Sequence, residues 1–323
     1  MIAIHKNKVE AVQAIFLDEI KIQREKAIEK LDALHAKTFD FNDKAYLESI
    51  ILIFKDNTDI LLWDLDKINS KKGVIANVPL RAKVYKNGTT KQVKSPIKNS
   101  ILVALGYKLL RSSFYPNYFK KIGIKSCVYC NSQLSITAVK CKDVYSAKFD
   151  VDHYHSKDEF PFLSINLFNL YPACASCNRA KSNNIIEFEL YTKDASKTTE
   201  SNYKFKLSPS SKSKYLTTRE AKDIDFTFSE PIYNVVGAKK FNEVFHIEGL
   251  YETQKDLIEE LIIKSQIYNK SYLKTLKSNF TKLSLHPELF KRTLVGNYTE
   301  DKDIHKRPMS KIVMDIAKDL DLI

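Results

Sequence analysis

Two Cys-x-x-Cys pairs constrain the fold of this chain more than any other feature of its sequence. Cys127 and Cys130 form the first pair, Cys174 and Cys177 form the second, and 43 residues separate the two pairs. Two thiolates at this spacing can approach one metal ion, and four thiolates at about 2.3 Å complete the closed tetrahedral site of structural zinc. The sequence therefore predicts a four-cysteine zinc site. Cys141, the fifth cysteine, is interpreted as a buried or idle thiol.

Buried core cysteines and a redox pair are the alternatives to a metal site. A redox Cys-x-x-Cys normally stands alone near a β-α-β pattern, whereas four of the five cysteines here fall into two pairs. The first ten residues lack a secretory signal, and no run of 18 apolar residues could span a bilayer. We therefore expect a soluble, cytoplasmic protein, in a reducing compartment where thiols bind metals more often than they form disulfides.

Composition favours a folded protein with a polyanionic partner. The chain has 323 residues, of which 44% are hydrophobic, and this is enough to bury a core. Lys and Arg number 52 against 39 Asp and Glu, which gives a net charge of +13. An excess of this size is typical of proteins that bind nucleic acid, although a lysine-rich surface that serves solubility is the alternative.

Apolar residues recur at helical spacing on both sides of the cysteine-rich segment. This pattern predicts helices over residues 9–36 and 250–280. Ser95-Pro96 is a typical helix start and predicts a helix through residue 110, and Pro308 predicts a last short helix through residue 320.

Strand signals are fewer and lie mostly near the cysteines. Asn87-Gly88 between alternating residues predicts a hairpin over residues 84–93, and β-prone runs cover 134–139 and 147–153. The predicted fold class is therefore α+β, a small metal-rich core flanked by mainly helical segments. The predicted regions are a helical N-terminal region (1–110), the core (111–190), and a mixed, then helical, C-terminal region (191–323).

Polar residues between and just after the cysteine pairs have the chemistry of a second metal site. Phosphodiester hydrolysis needs a metal ion to neutralise the phosphate and a base to activate water. A carboxylate and a carboxamide oxygen from this segment would suit Mg²⁺ or Mn²⁺ and leave places for water and phosphate. A neutral histidine, with an ordinary pKa near 6.5, is a plausible base at cellular pH.

The order of these residues resembles the HNH, or ββα-metal, nuclease family in its Asp-His/Asn/Asn form. The resemblance covers residues 127–181: a cysteine pair, Asp152-His153, Asn169-Leu170, and a second pair that continues into Asn178-Arg179-Ala180-Lys181. In that family a hairpin and a helix grip one divalent ion. The resemblance implies that Asp152 and Asn178 are metal ligands, His153 is the general base, and Asn169 orients His153 through its loop. Many members have His where this chain has Asn178.

A narrower resemblance involves the residues that follow His153. Asp-His-Tyr-His-Ser-Lys, then Phe160-Pro161-Phe162-Leu163, is similar to the HNH nucleases of bacterial antiphage systems, including the Septu nuclease subunit and retron-associated nucleases. Those usually have Arg-Pro where this chain has His155-Ser156. This resemblance implies antiphage defence as the role, DNA as the substrate with RNA not excluded, and an ATPase of the SMC or ABC-like type as a partner.

Several residues near this motif have two interpretations. Asp150 shares strand parity with Asp152 and either assists the metal or is solvated, and His155 either contacts phosphate or has no role. Lys157, Arg179 and Lys181 are expected to bind the phosphate backbone, although each could be a solvated surface charge. Likewise, Asp152-His153 could be a surface pair, and Asn169 and Asn178 could be ordinary turn and cap residues.

Two other functions use similar residues. A zinc-dependent nucleobase deaminase has His-x-Glu before Pro-Cys-x-x-Cys, but the His-x-Glu matches here, at His246 and His286, come after the cysteines. A non-catalytic zinc module that binds nucleic acid or a partner is the second alternative. An Asp-His pair argues against it, because a carboxylate near phosphates does not help binding.

Overall fold

The chain folds into a mixed α and β structure dominated by helix. A computed structural model describes residues 1–75, 77–86, 88–142, 144–284 and 286–323, with the side chain of Lys270 also outside the description. Helices account for 54% and strands for 14% of the structure. The mixed composition predicted from the sequence is confirmed at this level.

The N-terminal part is mainly helical. Its elements are β1 (Ile4–His5), α1 (Lys6–Ile15), α2 (Leu17–Ala36), α3 (Phe41–Asp56), α4 (Leu65–Lys71), β2 (Leu80–Val84), β3 (Thr90–Lys94), α5 (Ile97–Ala104), α6 (Tyr107–Ser113) and α7 (Tyr115–Ile122). The helix predicted over 9–36 is present as α1 and α2, which meet at Phe16, where the ring packs against Phe114 and Tyr118. The helix predicted through residue 110 is split because Gly106 has a φ of 70°, a left-handed conformation that ends α5.

The hairpin predicted around Asn87-Gly88 is present as the antiparallel pair β2 and β3. Asn87 itself lies outside the described residues. The pairing runs from Leu80 opposite Lys94 to Val84 opposite Thr90, and Gly88 has a φ of 80°, as a tight turn requires.

The middle part contains two antiparallel strand pairs and a short helix. Its elements are β4 (Ile136–Cys141), β5 (Val144–Lys148), β6 (Asp150–His153), β7 (Leu170–Ala173) and α8 (Ala175–Lys181). The predicted strand over 134–139 corresponds to β4, and the one over 147–153 is divided between β5 and β6. β6 pairs with β7, and α8 begins two residues after β7. This strand–strand–helix unit carries the motif residues described below.

The C-terminal part is helical with one further strand pair. Its elements are β8 (Tyr191–Thr192), α9 (Ser196–Thr199), β9 (Lys204–Leu207), α10 (Ser211–Thr218), β10 (Phe226–Ser229), α11 (Phe241–Phe245), α12 (Ile247–Glu252), α13 (Lys255–Ile267), α14 (Lys270–Lys282), α15 (Pro287–Val295) and α16 (Ser310–Asp319). The helix predicted over 250–280 is interrupted before α14, which Asn269 caps by accepting a hydrogen bond from the Tyr272 backbone N–H. The last predicted helix is present as α16.

One contiguous apolar core joins the three predicted regions. Buried residues from Met1 to Leu322 belong to the same cluster, and the predicted boundary after residue 110 falls inside α6. The division into three regions stays a prediction. Among the described helices, none combines the length and the apolar character that a bilayer-spanning segment needs.

The C-terminal part is bound to the first cysteine pair through Asn131. The Asn131 amide donates to the Ile304 carbonyl at 3.0 Å, and its oxygen accepts from the Lys311 backbone N–H at 2.9 Å. Tyr251, fully buried, donates its hydroxyl to the Cys130 carbonyl at 2.8 Å. The loop around the first cysteine pair therefore depends on residues more than 100 positions away in sequence.

A fragment of residues 111–190 is expected not to fold by itself. It would lose the partners of Asn131 and Cys130, and each buried polar group left unpaired costs about 1–3 kcal/mol. We expect no cooperative thermal transition by circular dichroism, with or without added zinc, whereas the full chain unfolds cooperatively. A fragment that unfolds cooperatively and retains the full chain's activity would show that the flanking helices are dispensable.

Candidate functional site

The four paired cysteines converge on one point. The sulfurs of Cys127, Cys130, Cys174 and Cys177 all lie within 4.8 Å of one another. A tetrahedral site with 2.3 Å metal–sulfur bonds puts its sulfurs about 3.8 Å apart, so this cluster can hold a metal such as zinc with little rearrangement. The predicted convergence is confirmed. Cys141 is exposed and lies outside the cluster.

Hydrogen bonds reach two of the sulfurs, and the pKa is lowered for two of the four thiols and raised for Cys127 and Cys177. The Ser132 hydroxyl donates to Cys130 Sγ at 3.1 Å, and the Cys177 backbone N–H donates to Cys174 Sγ at 3.5 Å, where Cys174 caps α8. Contact with the Cys127 thiol lowers the pKa of both Cys130 and Cys174, while burial raises the pKa of Cys127 itself. Donors of this kind around the sulfurs orient metal ligands and stabilise their charged form.

Two carboxylates of β6 face α8. Asp150 and Asp152 are two residues apart on the strand and share one face. The Asn178 amide donates to Asp150 Oδ2 at 3.0 Å, and the Lys181 ammonium lies 3.3 Å from Asp152 Oδ2. Residues three apart on a helix share a face, so Asn178 and Lys181 can each meet one of the two acids. Asn178, expected beside Asp152, thus makes its direct contact with Asp150.

Asp152 is buried, and the first cysteine pair reaches it through Tyr129. Asp152 is 5% exposed, and the Tyr129 hydroxyl donates to its Oδ2 at 2.5 Å. Burial raises the pKa of Asp152, and the nearby Lys181 opposes this shift. Since Tyr129 lies between Cys127 and Cys130, the geometry of the thiol cluster fixes the position of this acid.

His153 lies on the other face of β6 and has a defined tautomer. The ring is 4% exposed and 5.0 Å from the ring of Tyr107. Its Nε2 lies 3.1 Å from the Ser164 carbonyl oxygen, and this oxygen can only accept, so Nε2 carries the proton and Nδ1 carries the lone pair. Burial lowers the pKa of His153 to about 3, so the ring is neutral at physiological pH.

The two histidines of the motif differ at their second nitrogen. Within the described residues, His153 Nδ1 has no hydrogen-bond partner. It is not among the atoms that are both unpaired and completely buried. His155 Nε2 is such a buried atom, and burial lowers the pKa of His155 to about 3. Nδ1 of His153 is therefore the better placed of the two nitrogens to take a proton.

Asn169 holds the loop that follows His153. Its side chain is fully buried, accepts from the His155 backbone N–H at 2.7 Å, and donates to the carbonyls of His155 and Leu163 at 3.1 Å. It contacts the loop and makes no hydrogen bond to the imidazole of His153. The loop in turn provides the Ser164 carbonyl that fixes the His153 ring.

The three predicted phosphate contacts occupy different environments. Arg179 is exposed on α8, and the Lys157 ammonium is 5.3 Å from the centroid of the Tyr107 ring. Lys181 is 3% exposed, and its ammonium binds the His153 carbonyl at 2.8 Å as well as Asp152. A surface phosphate contact does not fit this position, because the ammonium is already enclosed and paired within the protein.

Sequence reasoning missed two residues of this site. Arg111 of α6 forms an ion pair with Asp150 and is 45% exposed. Nothing in the local sequence links these two residues, which are 39 positions apart. Tyr129 carried a usable signal, because a residue inside a cysteine pair must lie beside the metal cluster.

The chain matches no known family model, no curated protein and no solved structure. The functional assignment therefore rests on the chemistry of these residues.

Replacing one cysteine of the cluster should remove the metal and destabilise the fold. We expect Cys127→Ser to eliminate stoichiometric zinc, measured by elemental analysis, and to lower the melting temperature by about 10 °C or more, because structural zinc contributes folding free energy directly. Cys141→Ser is the matched control and should retain both zinc and stability. Wild-type protein that is folded but contains no bound zinc would contradict the assignment.

Proposed function

We propose that this chain is a metal-dependent endonuclease of the HNH, ββα-metal class that hydrolyses DNA phosphodiester bonds. The supporting arrangement is β6, β7 and α8, with carboxylates and an amide on one face of β6 and a neutral histidine on the other. The observation that carries the proposal is His153, whose Nε2 is fixed by a carbonyl and whose Nδ1 is unpaired. His305 has the same pattern, with Nε2 2.9 Å from the Ile2 carbonyl oxygen and Nδ1 unpaired, so what distinguishes His153 is its place on β6 next to Asp152.

The residues between β6 and α8 fit a hard divalent cation. Carboxylate and amide oxygens of Asp150, Asp152 and Asn178 are the donors that Mg²⁺ and Mn²⁺ prefer. Because Asn178 contacts Asp150 directly, we add Asp150 to the pair Asp152 and Asn178 implied by the sequence resemblance. A cation held there would neutralise the scissile phosphate and stabilise the leaving 3′ oxygen.

His153 acts in this proposal as the general base. Nδ1 takes a proton from the attacking water as the new phosphorus–oxygen bond forms and the bond to the 3′ oxygen breaks, and the leaving 3′ oxygen takes a proton from solvent water. The Ser164 carbonyl, which accepts from Nε2, stabilises the imidazolium that results. The negative charge of a bound phosphate raises the pKa of the ring and opposes the effect of burial. The products carry 5′-phosphate and 3′-hydroxyl ends.

Other residues position the substrate or the catalytic groups. Lys181 neutralises Asp152, and Asn169 holds the loop, so both act through their neighbours. Lys157 and Arg179 contact the DNA backbone. Arg111, half-exposed and paired with Asp150, would be available to bind a substrate phosphate if a cation took over that carboxylate.

The wider assignments rest on the sequence resemblance. Zinc is the proposed metal of the four-thiol cluster, which keeps β6 and α8 in place. Antiphage defence in the cytoplasm, and an ATPase partner of the SMC or ABC-like type, are proposed on the residues that follow His153.

A non-catalytic zinc module is the second candidate function. It is favoured by the burial of Asp152 and His153, each no more than 5% exposed and each bonded within the protein. The two candidates differ in one readout, because only the nuclease converts supercoiled plasmid to nicked or linear DNA when Mg²⁺ or Mn²⁺ is added.

Removing the imidazole of His153 should abolish cleavage without loss of the fold. We expect His153→Ala to lower the rate of plasmid cleavage by about 10²–10⁴, the usual contribution of a general base, with zinc content unchanged. His35→Ala, distant in sequence and paired with Glu48 at the surface, is the control. The assay includes the partner ATPase where the chain alone is silent. Wild-type rates from a zinc-replete His153→Ala protein would refute this mechanism.

Substitutions of the two carboxylates of β6 should have different effects on metal dependence and stability. The Asp150 side chain is 24% exposed, so Asp150→Asn should raise the Mn²⁺ concentration for half-maximal cleavage by about tenfold or more at unchanged stability. Asp152→Asn should lower the melting temperature as well, because it leaves Lys181 a buried, unpaired cation.

Asp158→Asn is the control for Asp150→Asn, since Asp158 is an acid of the adjacent loop that pairs with Lys98. If Asp150→Asn and Asp158→Asn had the same Mn²⁺ dependence as the wild type, Asp150 would not be a ligand.

A further inference from the structure

The hairpin of β2 and β3 is strongly basic and solvent-exposed. Residues 80–94 contain five cations and no acidic residue. All residues of both strands are exposed or partly exposed, so neither face of the hairpin is buried. A two-stranded hairpin without a buried face is only marginally stable in water. The stability of the hairpin here therefore depends on the contacts at its base.

Acidic residues neutralise only the cations at the base of this hairpin. Arg81 forms ion pairs with Asp43 and, at 3.2 Å, with Asp40, and Lys94 lies 3.8 Å from Glu159. Toward the tip, the cations are Lys83, Lys86 and Lys91. Across the part of the chain that the structure describes, no carboxylate lies within ion-pair distance of these three. The free positive charge is therefore concentrated at the outer end.

Two of these lysines face each other across the strands. Lys83 is directly opposite Lys91, and both ammonium groups approach the ring of Tyr85, at 5.3 and 6.0 Å from its centroid. Like charges in this arrangement destabilise a strand pair, and the Tyr85 ring offsets part of that cost. A bound polyanion would attract both ammonium groups and offset the repulsion between them.

The base of the hairpin contacts the loop that follows His153. Glu159, the partner of Lys94, belongs to the loop between His153 and Ser164, whose carbonyl holds the His153 ring. The next helix, α5, contacts the same loop through Lys98 and Asp158 at 2.9 Å. The hairpin therefore begins beside the loop that carries the Ser164 carbonyl.

We propose that β2 and β3 form a DNA-binding ribbon that places Lys83, Tyr85 and Lys91 against the backbone of a B-form duplex. This inference rests on the proposed nuclease function and assigns double-stranded DNA as the substrate class. The major groove of B-DNA admits a two-stranded ribbon, whereas the major groove of A-form RNA is too deep and narrow. The three tip lysines have no carboxylate partner among the described residues, so their ammonium groups can bind phosphates of the DNA backbone.

The test measures binding by the full chain, separately from cleavage. The probe is a labelled DNA duplex of about 20 base pairs, two helical turns, with an RNA duplex of the same sequence as the second arm, at several salt concentrations without Mg²⁺. The variant is Lys83→Gln/Lys91→Gln. Its control is Lys274→Gln/Lys277→Gln, which removes two exposed lysines from α14, a helix that packs against α15.

The hairpin variant should bind DNA about tenfold or more weakly near 0.1 M salt and reduce the slope of log affinity against log salt by about 1.8, or 0.9 for each lost phosphate contact. The control should match the wild type. The melting temperature of the hairpin variant should be unchanged or higher, because a like-charge pair has been removed. A structural role for these lysines would lower it.

Three results would overturn the proposal that the hairpin binds duplex DNA. If the hairpin variant bound DNA with the affinity and salt slope of the wild type, the hairpin would have no role in binding. The nuclease proposal would then still be tested by the His153→Ala assay. Equal loss of RNA and DNA binding would contradict the assignment to B-form DNA. Absence of duplex binding by the wild type at low salt would reject both the ribbon and a duplex substrate.

Discussion

Four cysteine sulfurs converge from two segments of the chain that lie 43 residues apart, and the positions of the neighbouring side chains follow from that convergence. Cys174 caps α8, so the cluster fixes where this helix begins beside β6. Tyr129, between the first two cysteines, reaches Asp152. On the far side, Asn131 binds the first turn of α16 through the Lys311 backbone N–H. A metal ion at the thiols would therefore stabilise both the motif residues and the attachment of the C-terminal part.

The ion pair of Asp152 and Lys181 needs an explanation beyond stability. Both side chains are nearly inaccessible, and burial raises the pKa of the acid while Lys181 lowers it. A buried ion pair seldom contributes more to stability than an apolar pair of the same size, because desolvation offsets the attraction. The geometry of the pair is more informative. Lys181 contacts both Asp152, on one face of β6, and the backbone carbonyl of His153, whose side chain lies on the other face. The pair thereby aligns the proposed ligand with the proposed base.

Sequence patterns predicted features whose signal is local. Chelating spacing encodes the cysteine cluster, helical periodicity encodes α1 and α2, and Asn87-Gly88 marks the hairpin, of which the described residues form both strands. The partners across β6 and α8 were not predictable in this way. Strand parity places Asp150 and Asp152 on one face, but it does not specify which of them meets Asn178, because that depends on how α8 is rotated. Burial of Lys181 and the contact of Arg111 likewise depend on tertiary packing.

We have proposed two metal sites of different chemistry: a thiol cluster that supports the fold and an oxygen site that serves hydrolysis. Anomalous scattering from crystals of the zinc-replete chain grown with Mn²⁺ and a DNA duplex distinguishes the two metals directly. We expect a zinc peak among the four sulfurs and a manganese peak about 2.0–2.3 Å from oxygens of Asn178 and of Asp150 or Asp152. A zinc peak alone, with bound DNA but no manganese between β6 and α8, would contradict the proposed catalytic site.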